Sequence, residues 1–156
     1  MGKVLAFINQ KGGVGKTTSA VNVGLSLAVS ELKTLIIDLD PQANATTGLS
    51  DLIKKANNNI YDVLIREVDI KEAIAETTFP HLDVISSTND LVGAEVELVN
   101  IMAREYQLKT ALKKVMRKYD VIILDCPPSL GLLTINALTS SHAIIIPIQC
   151  EYYALE

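Results

Sequence analysis

The chain has 156 residues, of which 49% are hydrophobic and 21% charged, and its formal net charge is -4 at pH 7. That length fits one domain with a buried core, and the composition excludes a disordered or fibrous chain. The acidic balance argues against a broadly basic surface that would hold DNA by charge alone.

The first residues, MGKVLAFINQ, contain a five-residue apolar run with no small-residue cleavage site after it, so they do not form a secretory signal. No apolar run approaches the ~20 residues of a membrane helix. Cys126 and Cys150 are far apart and form no CxxC pair, which argues against a disulfide framework or a cysteine metal site. These features predict a cytoplasmic protein that does not bind membranes.

Short apolar runs alternate with helix-like segments along the chain, a pattern typical of βαβ units. The predicted strands are residues 4–8, 34–38, 82–86, 121–125 and 143–148. Because the runs are continuous, we expect helices to cover the strands on both faces, the last strand included. The predicted fold class is therefore α/β, a mostly parallel sheet with helices on both faces.

Two segments carry a clear helical period. Residues 17–30 place Ala20, Val21, Leu25 and Ala28 on one buried side. Residues 107–119 carry an apolar stripe of Leu108, Leu112, Val115 and Met116. Five basic side chains face away from it: Lys109, Lys113, Lys114, Arg117 and Lys118. A solvated helix face is the favoured interpretation of this basic run over a nucleic-acid patch.

The remaining landmarks are a loop and the end of the chain. Asn57, Asn58 and Asn59 predict a loop before the short apolar segment 60–65. Residues 151–156 resemble the first turns of a helix that does not continue. We therefore expect residues 1–156 to form a single domain that is incomplete at its C-terminal side.

A glycine-rich turn, INQKGGVGKTTSA, joins the first strand to the first helix. Gly12, Gly13 and Gly15 allow backbone N–H groups to point inward, and the following helix start adds further N–H groups and its positive dipole end. Lys16 would reach the β- and γ-phosphates of a nucleotide, and the Thr17 hydroxyl would bind Mg²⁺. The arrangement predicts a P-loop for a di- or triphosphate.

The literal P-loop pattern fails at one position, because Gln10 stands where the first glycine is expected and Lys11 follows it. Here the sequence resembles the deviant Walker A P-loop NTPases, of the SIMIBI type, which include chromosome and plasmid partition ATPases. The resemblance implies that Lys11 reaches across a nucleotide-sandwich dimer to the partner's phosphates, while Lys16 acts within its own subunit. The nucleotide-binding residues it implies are Lys11, Gly12, Gly13, Val14, Gly15, Lys16, Thr17 and Thr18.

Three aspartates lie at or just after the ends of predicted strands. Asp38 and Asp40 lie at the carboxyl end of the second strand, where open α/β sheets place ligands, although Asp-Pro also commonly caps turns. Asp125 ends the apolar strand YDVIILD, a Walker B pattern whose carboxylate contacts Mg²⁺. The resemblance implies that Asp40 orients the attacking water and that Asp38 supports the magnesium shell. Cys126, Pro127, Pro128 and Gly131 match the family's switch segment.

Four further stretches resemble the ParA/Soj type of partition ATPase. They are residues 40–46, 60–64, 89–98 and 147–156. The resemblance implies an ATP-dependent homodimer, non-specific DNA binding and a ParB-type centromere-binding partner that stimulates hydrolysis, in a cytoplasmic, nucleoid-associated protein. The family's DNA-contacting residues and adenine-reading segment lie beyond residue 156. Two alternatives stay open: a MinD-like division-site ATPase, and a nucleotide-binding interaction module that does not hydrolyse ATP.

Overall fold

The computed structural model describes residues 2–150, which form a six-stranded sheet flanked by helices. The strands are β1 (Lys3–Phe7), β2 (Thr34–Asp38), β3 (Ala75–Glu76), β4 (Leu82–Ile85), β5 (Val121–Asp125) and β6 (Ala143–Ile145). The helices are α1 (Lys16–Val29), α2 (Asn44–Gly48), α3 (Ile60–Ile65), α4 (Ile70–Ala73), α5 (Leu91–Glu97), α6 (Gln107–Leu112) and α7 (Leu132–Ser140).

The sheet order is β3-β4-β2-β5-β1-β6, and every pairing except β3 with β4 is parallel. Its two faces bury separate apolar cores, one with α1 and α2 and one with α3 to α7. Gly24 brings α1 close to the sheet, because a Cβ there would lie 2.6 Å from the Ile36 Cδ1 atom. The mostly parallel α/β fold with helices on both faces is thus confirmed.

The prediction of a buried last strand at 143–148 is wrong. Only Ala143–Ile145 pair as a regular strand. The side chains of Ile144 and Ile146 are 49% and 59% exposed. Within residues 2–150, β6 is the outermost strand and pairs only with β1, so nothing there covers its free edge. The predicted helix start at 151–156 lies outside the described residues.

The predicted helix 107–119 is regular only through Leu112. Residues 113–118 continue as turns, and the Met116 carbonyl accepts a hydrogen bond from the Gly2 N–H at 2.9 Å. Gly2 directly precedes β1, so this bond links the turns to the sheet. The stripe and the exposed basic face are as predicted, and two of the basic side chains form ion pairs, Lys114 with Asp69 and Lys118 with Asp83.

Candidate functional site

The glycine-rich turn lies at the carboxyl end of β1 and leads directly into α1. Gly13 and Gly15 have φ angles of 73° and 84°, the left-handed region that favours glycine. A Cβ added at Gly12, Gly13 or Gly15 would meet nothing within 4 Å. The turn therefore leaves open space beside its backbone, as the P-loop prediction requires.

Lys16 and Lys11 have different environments. Lys16 is the first residue of α1 and is only 7% exposed, and its Nζ donates to the Lys11 carbonyl at 3.2 Å. Lys11 is exposed, and its backbone N–H donates to Asn9 Oδ1 at 2.9 Å. The ammonium of Lys16 is thus held inside the turn, whereas that of Lys11 is available on the surface.

Asp38 is fully buried at the end of β2. Its Oδ2 accepts hydrogen bonds from the backbone N–H and the hydroxyl of Thr46, both at 2.8 Å, and its Oδ1 accepts from the Asp40 N–H at 3.0 Å. Burial raises the pKa of Asp38 above its ordinary value, and the bonds from Thr46 and Asp40 oppose that shift. Asp38 therefore fixes the turn that carries Asp40.

Asp125 lies opposite Asp38 in the register of β5 with β2. It is fully buried, and within residues 2–150 neither of its carboxylate oxygens has a hydrogen-bond partner of good geometry, the Thr17 hydroxyl being the neighbouring donor. Burial, followed by the charges of Asp38 and Asp40, raises the pKa of Asp125 to about 7, while Thr17 and Lys16 oppose the shift. A buried carboxylate that lacks well-formed hydrogen bonds is the kind of group that a bound cation would stabilise.

One cavity of about 570 Å³ gathers much of the predicted site. Its lining consists of Gly12, Gly13, Gly15, Lys16, Thr17, Thr18, Asp40, Gln42, Asn44 and Pro128. Lys11, Val14, Asp38 and Asp125 are not part of that lining. Gln42, Asn44 and Pro128 were not predicted as site residues, although all three stand in motifs that carried the resemblance. The sequence feature that could have identified them is their position two to four residues after Asp40 or Asp125.

The residues after β5 connect this cavity to a helix. Pro128 lines the cavity, and the segment ends at Gly131, the N-cap of α7, which begins at Leu132. The Glu95 carboxylate of α5 accepts from the N–H groups of Leu132 at 2.6 Å and Leu133 at 3.3 Å. Burial raises the pKa of the Cys126 thiol, which agrees with a packing role for this residue.

The donor set fits Mg²⁺ held together with a nucleotide. Among residues 2–150 there is no group of three or more His, Cys, Asp or Glu side chains arranged to bind a metal by themselves. Mg²⁺ usually keeps water and substrate phosphate oxygens as ligands and takes only one or two carboxylates. Thr17 and the unpaired Asp125 are the residues that could supply the protein ligands, with Asp38 beside them.

Comparison of the chain with family models identifies the family to which it belongs. Residues 2–156 match the AAA_31 family model, described as an AAA domain. The chain belongs to this family. Over its whole length it is homologous to ParA/Soj chromosome partition proteins, as the resemblance predicted.

Two curated relatives illustrate this homology. The sporulation initiation inhibitor protein Soj of Bacillus subtilis is 56% identical over 158 residues, covering 100% of this chain. The chromosome partitioning protein ParA of Myxococcus xanthus is 50% identical, again over 100% of this chain. The chain spans 62% and 55% of the lengths of these two relatives.

Some of the solved structures that resemble this chain contain a bound nucleotide. A plasmid partition protein from Borrelia burgdorferi bound to AMPPNP superposes with a TM-score of 0.90 at 35% identity, covering 99% of this chain and 64% of that one. A Mycobacterium smegmatis protein described as cobyrinic acid a,c-diamide synthase, with bound ADP and magnesium, gives a TM-score of 0.90 at 42% identity, covering 97% and 61%. No helix among residues 2–150 is both long and apolar enough to cross a membrane.

Proposed function

We propose that this AAA_31 chain binds Mg-ATP in the 570 Å³ cavity and forms the nucleotide-dependent part of a ParA/Soj-type DNA partition ATPase. The observation that carries the proposal is the cavity itself, which joins an open glycine turn and the buried ammonium of Lys16 to Asp40. Nucleotides in structural neighbours and homology to partition proteins along the whole chain support it. Residues 1–156 would act as one P-loop domain.

In this proposal the backbone of residues 12–15 and the Lys16 ammonium hold the phosphates, with Val14 and Thr18 completing the turn around them. Thr17 and Asp125 would hold Mg²⁺, with Asp38 in support, and the bound ion would neutralise charge on the phosphate oxygens. The two unpaired oxygens of Asp125 support this assignment. Asp40 would orient the attacking water, since it lines the same cavity as the glycine turn.

Lys11 would serve a second copy of the chain. Its exposed ammonium would complete the partner's phosphate site, so that hydrolysis requires an ATP-dependent homodimer. A cation supplied from outside a phosphate site raises the rate of phosphoryl transfer by about 10³- to 10⁵-fold where arginine does it. The protein would be cytoplasmic and nucleoid-associated. Its dimer would bind DNA without sequence preference, and a ParB-type protein would stimulate hydrolysis.

Calorimetric titration with Mg-ATP tests the phosphate site. We expect Lys16→Ala to weaken Mg-ATP binding at least about 100-fold, because the one buried ammonium in the turn is lost. Lys113→Ala, which removes an exposed lysine of the basic face, serves as the matched control and should bind as the unaltered chain does. Equal affinity of the unaltered chain and Lys16→Ala would refute the proposed site, and a parallel titration with Mg-GTP measures base selectivity.

ATP hydrolysis in the presence of DNA and a ParB-type partner tests the two further roles. Lys11→Gln should bind Mg-ATP normally but lose hydrolysis and ATP-dependent dimerisation, whereas Asp40→Ala should accumulate as an ATP-bound dimer. Light scattering distinguishes these two states. Normal turnover in Lys11→Gln would contradict the action in trans, and ATP binding without turnover in the unaltered chain would favour a non-hydrolysing interaction module.

A further inference from the structure

Asn9 lies just after the end of β1, where the glycine turn begins, and is not among the residues assigned to the site. Its side chain forms two hydrogen bonds in different directions. The Oδ1 atom accepts from the Lys11 N–H at 2.9 Å, and the Nδ2 group donates to the Pro147 carbonyl at 2.8 Å. The first bond is local, whereas the second joins residues 138 positions apart. The amide of Asn9 therefore links the backbone of Lys11 to the segment that follows β6.

Lys11 combines a fixed backbone with a free side chain. Its N–H donates to Asn9, and its carbonyl accepts from Lys16 Nζ at 3.2 Å. The residue is exposed, and its ammonium forms no ion pair within residues 2–150. Ordering a lysine side chain costs conformational entropy, and a fixed backbone limits that cost to the side-chain torsions. Such an arrangement suits a lysine whose target lies outside its own chain.

A second hydrogen bond ties the glycine turn to the same segment. Gln149 Nε2 donates to the Gly13 carbonyl at 3.0 Å. Since Asn9 and Gly13 stand on either side of Lys11, residues 147–149 hold the turn both before and after this lysine. The parallel pairing of β6 with β1 brings the two segments together. The position of the Lys11 backbone thus depends on contacts at sequence separations of 136 and 138 residues.

An asparagine amide supplies both of the bonds that Asn9 makes. It carries an acceptor and a donor on one group, whereas an aspartate would lack the donor and place an oxygen against the Pro147 carbonyl. Asparagine is also common at turns, where its side chain accepts from the N–H two residues on. That local role accounts for the bond to Lys11. It does not account for the bond to Pro147, which fixes the turn relative to the rest of the sheet.

We propose that Asn9 is a positioning residue of the ATPase, which holds the Lys11 backbone so that the ammonium reaches the phosphates bound by a second copy of the chain. The inference rests on the proposed function, from which it takes the action of Lys11 in trans. Asn9 is not part of the lining of the nucleotide cavity. Its substitution should therefore change turnover in the dimer and leave binding of Mg-ATP unchanged.

Turnover and Mg-ATP affinity, measured on the same variants and under the conditions used for Lys11→Gln, test this role. Asn9→Ala should lower the turnover of ATP-saturated protein at least about tenfold and leave the dissociation constant for Mg-ATP within about twofold. Asn9→Ser keeps an acceptor for the Lys11 N–H and should retain most of the turnover. Asn57→Ala, which removes an exposed asparagine amide in the loop before α3, is the matched control and should change neither quantity.

The same measurements separate failure of this inference from failure of the proposed function. Unchanged turnover in Asn9→Ala, beside lost turnover in Lys11→Gln, would overturn the inference and leave the proposed function standing. Equal losses in Asn9→Ala and Asn9→Ser would overturn it too, because the acceptor for Lys11 would then not matter. A loss of Mg-ATP affinity that accounts for the whole effect would show a merely structural role. Normal turnover in Lys11→Gln would contradict the proposed function, and the inference with it.

Exchange of the Lys11 amide proton with water, followed by NMR without nucleotide, needs no turnover. Asn9→Ala should speed this exchange about fivefold, because the amide loses its acceptor, and Asn9→Ser should speed it less. Asn57→Ala should leave it unchanged. The same exchange rate in Asn9→Ala and the unaltered chain would show that Asn9 does not hold the Lys11 backbone. That result would overturn the inference even if the unaltered chain does not hydrolyse ATP.

Discussion

Asp62 and Asp125 are both buried carboxylates, but the protein surrounds them in opposite ways. Asp62 is 5% exposed, and its oxygens accept hydrogen bonds from the Asn59 N–H and the Arg66 guanidinium, both at 2.9 Å. Asp125 is fully buried, and within residues 2–150 no group donates to it with good hydrogen-bond geometry. Burying a charge without well-formed hydrogen bonds opposes folding, so Asp62 serves the helix it caps, whereas Asp125 fits the Mg²⁺-binding role proposed for it.

Removing the charge of Asp125 should have the largest effect on stability. Its pKa in the folded chain is about 7, against an ordinary value of 3.8, so the folded chain holds a proton that the unfolded chain loses in that interval. The corresponding stability is therefore fully present below about pH 4 and is lost as the pH rises through 7. Asp125→Asn should stabilise the chain at pH 8 by as much as about 4 kcal/mol.

Urea unfolding without nucleotide or Mg²⁺ measures this effect at pH 4 and pH 8. The gain should shrink towards pH 4, where Asp125 is neutral in the folded chain. Asp51→Asn, which alters an exposed carboxylate, is the matched control and should change stability little at either pH. A gain of the same size at both pH values would show that the charge of Asp125 is not its cause.

Substitution of Asp62 should destabilise the chain, the opposite of the effect expected for Asp125→Asn. Asp62→Ala should lower the free energy of unfolding by about 2–3 kcal/mol, because the Asn59 N–H and Arg66 lose their acceptor. The same urea unfolding measurement detects it. Asp62→Asn keeps an acceptor for the Asn59 N–H and should lose less, so equal losses in the two variants would contradict the capping role.

Asp38 is intermediate between Asp62 and Asp125. It is buried and its pKa is raised, but its carboxylate accepts three hydrogen bonds. Thr46→Val removes one donor to Asp38 and the acceptor of the Ser87 N–H, and should cost about 1–2 kcal/mol. The loss should be larger at pH 8 than at pH 5, because the lost bond favours the charged carboxylate. Thr46→Ser keeps the hydroxyl and should stay close to the unaltered chain at both pH values.

Much of the fold followed from local pattern. Continuous apolar runs placed β1, β2, β4 and β5 within a residue of their observed bounds, and helical spacing placed α1. The short strand β3 was missed, since two residues carry no readable period. The stretch that forms α5 was noted only for its resemblance to the ParA/Soj type and was not predicted as a helix, although its buried Leu91 and Ala94 are three residues apart.

The failures were long-range. Residues 113–118 form turns instead of regular helix, and the Met116 carbonyl there accepts from the Gly2 N–H, more than a hundred residues away. The last strand was expected to be covered because its sequence is as apolar as that of an inner strand. Only the strand order shows that it forms the edge among residues 2–150, which leaves Ile144 half exposed.

The sequence by itself determined the chemistry available at the site: the glycine turn, two lysines and three aspartates were all readable as residue types at fixed spacings. The tertiary structure decided what each could do. Register brings Asp125 beside Asp38, burial of Asp125 raises its pKa, and the turn after β2 brings Asp40 to the cavity wall. Spacing along a chain fixes only near neighbours, whereas burial and charge at a site depend on strands that are distant in sequence.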